Sequence, residues 1–242
     1  MNKMNSVVVD AGNTAIKIGF FIEGELQQFS RISWDDFMAE NPLTEKIKKY
    51  KGIFSSVLTP EKNQQIREHY PDLIQFSSQH KLPIELDYKT PASLGVDRLC
   101  NAIAAWRLNP NKNSLIVDVG TCLKFDFVSQ NGIYQGGSIS PGIRLRYQSL
   151  NDYTANLPLL SAVDKTNLIG KSTTESIHSG VINGINAEIE RLIQQYEENF
   201  DSLTIFVTGG DAKYFDFDLK NNIFVTENLT LYGLYETYLF NA

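Results

Sequence analysis

The sequence predicts an α/β protein of two tandem lobes, each a mixed β-sheet flanked by helices. Two observations carry the prediction. SVVVDAGNTAIKIGFF around Asp10 and NSLIVDVGTCLKFDFV around Asp118 follow one pattern: buried-strand residues, Asp-x-Gly, a threonine and a second apolar strand. The aspartates lie nearly half the chain apart, so the pattern reads as a duplicated β-hairpin, one copy per lobe. Each copy brings an aspartate and a Gly-Thr turn to a strand end. In each half, moreover, strands come first and helices then alternate with strands, the order of a mixed sheet.

Residues 5–10, 16–22 and 25–30 read as an antiparallel meander with Gly-Asn and Glu-Gly turns. Residues 34–50 carry a helical pattern. A buried strand at 52–58, a polar helix from Pro60 to Tyr70 and a strand at 73–76 follow. GVDRLCNAIAAWRL (95–108) is helical, with Leu99, Ile103 and Trp106 on one face. NPNKN (109–113) is the turn-rich break between lobes expected at 1–112 and 113–242. The second half repeats the plan with strands at 114–119, 122–129 and 132–136, and a glycine-rich loop GGSISPG at 136–142. A long helix is expected at 174–198, with Ile177, Val181, Ile185 and Ile189 recurring every fourth residue. LTIFVTGGDA (203–212) is a strand ending in a Gly-Gly turn. Asn228 is placed to cap a last helix with Leu231, Tyr235 and Leu239 inward.

Composition narrows the function. The 242 residues are 42% hydrophobic and 21% charged, an ordinary globular balance able to bury one or two cores. A net charge of −6 disfavours nucleic acid, whose phosphates call for a basic face. No run of about 18 apolar residues suggests a membrane span. The N-terminus runs almost directly into a strand, without the pattern of a signal peptide. Cys100 and Cys122 stand in apolar contexts and read as reduced core thiols of a cytoplasmic protein. His69, His80 and His178 lack zinc-ligand spacing.

DAGNT (10–14) has the parts of a phosphate-binding hairpin. Gly12 permits the turn and close approach of an anion, while Asn13 and Thr14 bring donors. Lys17 suits a β- or γ-phosphate, and Asp10 a water-mediated Mg²⁺ contact. A plain turn explains DAGNT alone equally well. A second such hairpin, DVGTC (118–122), is harder to assign to turn chemistry, and VTGGDA (207–212) adds a turn flat enough for a base or ribose. In LGVDRL (94–99), Asp97 suits the helix dipole of a first turn, or a general base taking a hydroxyl proton. Arg98 suits a carboxylate or phosphate. GGSISPG exposes amides toward a substrate. GKST (170–173) resembles the tail of a P-loop, but Lys165 stands where that motif needs glycine. Ser176, Gly180 and Gly184 form a small-residue helix face suited to an intrachain helix or to a dimer seam.

Together these residues resemble a known family. The two hairpins and the Gly-Gly turn look like the phosphate-1, phosphate-2 and adenosine motifs of the actin–hexokinase–Hsp70 superfamily. The resemblance implies two ribonuclease H-like (actin-like ATPase) lobes with the active site in the cleft between them. DAGNTAIK, PASLGVDR, DVGTCLKFD, GGSISPGI, TANLP, GKST followed by ESIHSG, and VTGGDA are similar, in order and spacing, to type III pantothenate kinase across nearly the whole chain. That family phosphorylates the primary hydroxyl of pantothenate with ATP, the first committed step of coenzyme A synthesis.

The resemblance implies specific roles. Asp10, Ala11, Gly12, Asn13, Thr14, Ala15, Ile16 and Lys17 would line the ATP phosphates, with Asp10 near Mg²⁺ and Thr121 touching ATP. Asp97 would accept the proton. Tyr88 and Gly95, Val96, Asp97 and Arg98 would hold pantothenate. Asp118 would bind a monovalent cation, K⁺ or NH₄⁺. Thr173 would reach pantothenate in the partner subunit of a homodimer. One departure stands out: many members carry a small polar residue, often Thr, at the position of Lys124. Its ammonium is expected either to pair with Asp126 or another carboxylate, or partly to replace the monovalent cation. Competing readings are a kinase of another small acid or sugar, and a nucleotide-binding regulator without catalysis. The short chain disfavours the first, and Asp97 beside both hairpin aspartates disfavours the second.

Overall fold

The computed structural model describes residues 5–77, 80–215 and 222–242. The first half contains strands β1 (Ser6–Ala11), β2 (Ile16–Ile22), β3 (Glu25–Ile32), β4 (Gly52–Ser56), β5 (Leu73–Gln75) and β6 (Glu85–Leu86). Its helices are α1 (Trp34–Met38), α2 (Pro42–Ile47), α3 (Pro60–His69) and α4 (Val96–Leu108). The second half contains β7 (Ser114–Val119), β8 (Cys122–Val128), β9 (Ile133–Pro141), β10 (Thr204–Thr208) and β11 (Ile223–Val225). Its helices are α5 (Ile143–Asp152), α6 (Thr173–His178), α7 (Gly184–Asn199) and α8 (Leu229–Asn241).

The duplication extends to the sheets. The first has the order β3-β2-β1-β4-β5, and the second contains the run β9-β8-β7-β10-β11. In both, the first three strands form an antiparallel meander and the last two join in parallel. β1 and β7 are therefore central strands, buried on both faces, which is why VVV and LIV run without alternation.

Compact packing groups Met1–Leu108 with Asn228–Ala242, and Asn109–Glu227 as a second unit. The division falls at the expected NPNKN turn, yet the last helix joins the first unit, whereas the sequence reading kept it in 113–242. α8 is apolar nearly all round, with Leu229, Leu231 and Leu234 fully buried, and it packs on α4, β1, β2 and β4. Tyr235 stacks on Phe21 at 4.1 Å, and Thr230 Oγ1 donates to Asn101 Oδ1 on α4 at 2.8 Å. At the α4–α8 crossing, a Cβ on Gly233 would lie 1.8 Å from the Cys100 carbonyl oxygen, so only glycine lets the helices approach this closely.

Several local expectations are corrected. GGSISPG is not a loop: residues 136–141 continue β9 and pair with β8 as far as Cys122↔Pro141. Gly137 is needed there because a Cβ would lie 1.8 Å from the Phe125 carbonyl oxygen. The mixed helical pattern of 34–50 resolves into two helices, because Pro42 starts α2 and Asn41 caps it with a reciprocal Thr44 bond. The expected 174–198 helix is α6 and α7 joined by a π turn at Ser179–Asn183. Ile177, Val181, Ile185 and Ile189 are nevertheless all buried. β10 stops at Thr208. Asn228 precedes α8 as expected, but its side chain makes no capping bond, and Leu239 is only half-buried. Trp106 is also half-buried, beside fully inward Leu99 and Ile103. Among the described residues, no helix is long and apolar enough to cross a membrane.

Candidate active site

In the first unit, the β1–β2 hairpin carries one carboxylate, Asp10, and the start of α4 another, Asp97. Asp10 stands near the end of β1 and opposite Lys17 in the β1–β2 register. Residues 12–15 close the hairpin, with the Gly12 amide donating to the Ala15 carbonyl at 3.2 Å. Ser55 Oγ on the parallel neighbour β4 donates to Asp10 Oδ1 at 2.9 Å. That orienting partner was not legible in the sequence, because parallel-strand register brings the two together across 45 positions. Asn13 and Thr14 are exposed at the tip.

Asp97 lies in the first turn of α4, where the helix dipole favours a carboxylate. The Gly95 carbonyl accepts the first helical bond, from Leu99. A Cβ on Gly95 would lie 2.7 Å from Asp97 Oδ1, so the glycine leaves room for the carboxylate to fold back over the helix start. Arg98 is 6% exposed, and Tyr88 is half-buried. Cys100 is wholly buried. Burial first, then the negative charges of Asp10 and Asp97, push its thiol well above the ordinary range. One buried sulfur thus senses both carboxylates. Cys100 and Cys122 are both free thiols, but Cys122, at the start of β8, is half-buried rather than in the core as expected.

In the second unit, three motifs meet at the end of β7. The Gly142 amide donates to the Thr121 carbonyl at 3.1 Å, and a Cβ there would lie 2.2 Å from the Gly120 oxygen. Gly209 has φ of +99°, and a Cβ there would lie 2.3 Å from the Val119 oxygen. The Asp211 amide donates to that same oxygen at 2.9 Å. Gly142 of SPG and Gly209 of TGGDA are therefore what let their turns pack on the backbone of the DVGT turn. Burial raises the Asp211 carboxyl above its ordinary range, with Lys213 opposing.

Asp118 is 9% exposed, and its Oδ2 lies 2.7 Å from Lys124 Nζ. Asp126, the other expected partner of Lys124, accepts a hydrogen bond from Tyr134 at 2.6 Å. Glu188 on α7 was missed in the sequence: it accepts from Ser140 Oγ at 2.5 Å and pairs with Arg146, whose Nε donates to the Pro141 carbonyl. No local motif marks a glutamate that acts across 48 positions. GKST runs into the start of α6: Ser172 caps the helix, Glu175 reaches back to the Lys171 amide, and Thr173 is its exposed first residue.

The donor set bears on metals. Among the described residues, no group of three or more His, Cys, Asp or Glu could hold an ion. Asp10 fits Mg²⁺ of the kind that is held mainly by nucleotide phosphates and water. A monovalent ion on Asp118 fits less well, because an ammonium already stands on that carboxylate.

Two lobes of one strand order, each opening on an aspartate hairpin, define an α/β protein of the ribonuclease H-like, actin-like ATPase fold. A Baf-family protein of Campylobacter jejuni shares the fold, with a TM-score of 0.62, 21% identity and 96% of each chain covered. The Lmo2764 protein of Listeria monocytogenes has a TM-score of 0.50 at 12% identity, covering 98% of this chain and 99% of its own. The model of the type III pantothenate kinase family matches residues 6–195. The type III pantothenate kinase of Christiangramia forsetii is 40% identical over 233 residues, 95% of this chain and 96% of that one. That of Flavobacterium johnsoniae is 37% identical, covering 96% of each. The chain belongs to the type III pantothenate kinase family.

Proposed function

We propose that this chain transfers the γ-phosphoryl group of ATP to the primary hydroxyl of pantothenate, giving 4′-phosphopantothenate and ADP, in the cytoplasm, as the first step of coenzyme A synthesis. The observation that carries the reading is 37–40% identity to type III pantothenate kinases over nearly the whole chain, in a sequence that carries both aspartate hairpins and Asp97.

In this reading the chain positions and deprotonates the acceptor and bears phosphate charge. The pantothenate oxygen forms its bond to the γ-phosphorus as the bond from phosphorus to the β,γ-bridging oxygen breaks. ADP takes that electron pair, and the hydroxyl proton passes to Asp97 Oδ. Residues 10–17 supply donors and the Lys17 charge to the phosphates, and Thr121 adds a contact to ATP. Magnesium arriving with ATP would supply charge neutralisation, with Asp10, oriented by Ser55, as its protein partner through water. Tyr88, Gly95, Val96 and Arg98 hold pantothenate, the Arg98 guanidinium suiting its carboxylate.

A homodimer completes the reading. Ser176, Gly180 and Gly184 are exposed, and nothing lies within 4 Å of a Cβ placed on either glycine. Leu150, Leu157 and Ile177 line a groove beside Thr173, Ser176 and Gly180. As the family resemblance implies, Thr173 of one copy would then reach pantothenate in the other. Light scattering is expected to give the mass of two chains, and a single-chain mass would remove Thr173 from the site. The chemistry itself is tested by incubating protein, Mg-ATP and pantothenate and reading the product mass. Phosphopantothenate is the expected product. Bound ATP with no such product would reject the reading.

A further inference from the structure

We propose that Lys124 is a built-in monovalent cation. Its ammonium, held on Asp118, supplies at the second hairpin the one positive charge that a potassium or ammonium ion would otherwise bring, so that ATP binding and turnover need no added monovalent salt. The proposal rests on the kinase reading above, since it assigns the second hairpin to the nucleotide.

The pair is built into the sheet. Asp118 and Lys124 are direct cross-strand partners in the β7–β8 register. Their charged ends lie 2.7 Å apart, with side chains 12% and 14% exposed. Gly120 leaves room for the carboxylate beside the turn, since a Cβ there would lie 3.3 Å from Asp118 Oδ1. The internal duplication points the same way: Asp10 faces Lys17 across the first hairpin just as Asp118 faces Lys124 across the second. A lysine opposite the aspartate is thus part of both copies of the repeat.

The chemistry matches the role. An ammonium carries a single positive charge, the same charge as the monovalent ion it would replace, and it donates to the Asp118 carboxylate. A second cation on the same carboxylate would be repelled by that ammonium. Removing the ammonium leaves a nearly buried carboxylate without this counter-charge, a situation that draws a cation from solution.

The test compares wild type with Lys124→Thr in potassium chloride and in choline chloride, at an ionic strength of about 0.1 M that equalises screening. ATP affinity is read by calorimetry without acceptor, and turnover with pantothenate. Wild type is expected to change by less than about threefold between salts in both readouts, whereas Lys124→Thr weakens by more than about threefold in choline and recovers in potassium or ammonium. Potassium dependence of wild-type ATP affinity overturns the proposal, as does salt-independent ATP affinity in Lys124→Thr. If the variant does not fold, the wild-type titration alone decides. ATP binding that follows the expected pattern, without pantothenate-dependent turnover, rejects the kinase reading and leaves the assignment of Lys124 standing.

Discussion

Asp97→Asn is expected to lower pantothenate-dependent turnover by about a hundred- to ten-thousandfold while leaving ATP binding largely intact. The amide keeps the size and most hydrogen-bonding geometry of the carboxylate but cannot take the hydroxyl proton. Asp97 stands at the start of α4, over Gly95 and near Cys100, and its first-turn position stabilises the charged form a base requires. Single-turnover kinetics with calorimetry of ATP separate the two effects. Transfer at the wild-type rate would remove Asp97 as the base. Loss of ATP binding together with transfer would give it a structural or nucleotide role instead.

Gly233→Ala is expected to cost about 3 kcal/mol or more of stability, because the α4–α8 crossing has no room for a methyl group. The added carbon would meet the Cys100 carbonyl at 1.8 Å for oxygen and 2.4 Å for carbon, so a helix backbone must move. Displacing α8 also disturbs the Thr230–Asn101 bond and the Phe21–Tyr235 stack. The urea midpoint should fall clearly with an unchanged slope. An unchanged midpoint would show that the two helices do not approach each other as described. The proposed site is linked to this packing, because α4 carries Val96, Asp97 and Arg98.

Much of this was legible in the residues. The repeated Asp-x-Gly hairpin, with uninterrupted apolar runs on its first strand, announces central strands and their duplication, and the sheets repeat one strand order. What escaped reading depends on partners distant in sequence. The Gly-Ser-Ile-Ser-Pro-Gly composition signals a loop, yet β8 offers a continuous ladder that composition cannot reveal. The apolar pattern of α8 announces burial without naming what covers it. Ser55 and Glu188 carry no local signature, since strand register and a helix crossing bring them to Asp10 and Ser140. Lys124 was legible as an oddity, and its partner became definite only with the β7–β8 register.

The central claim is tested most directly by ADP release from purified protein with Mg-ATP, measured with and without pantothenate. ADP that appears only with pantothenate, and in step with its consumption, is the predicted result. ATP that binds but yields no ADP when pantothenate is added would contradict the account.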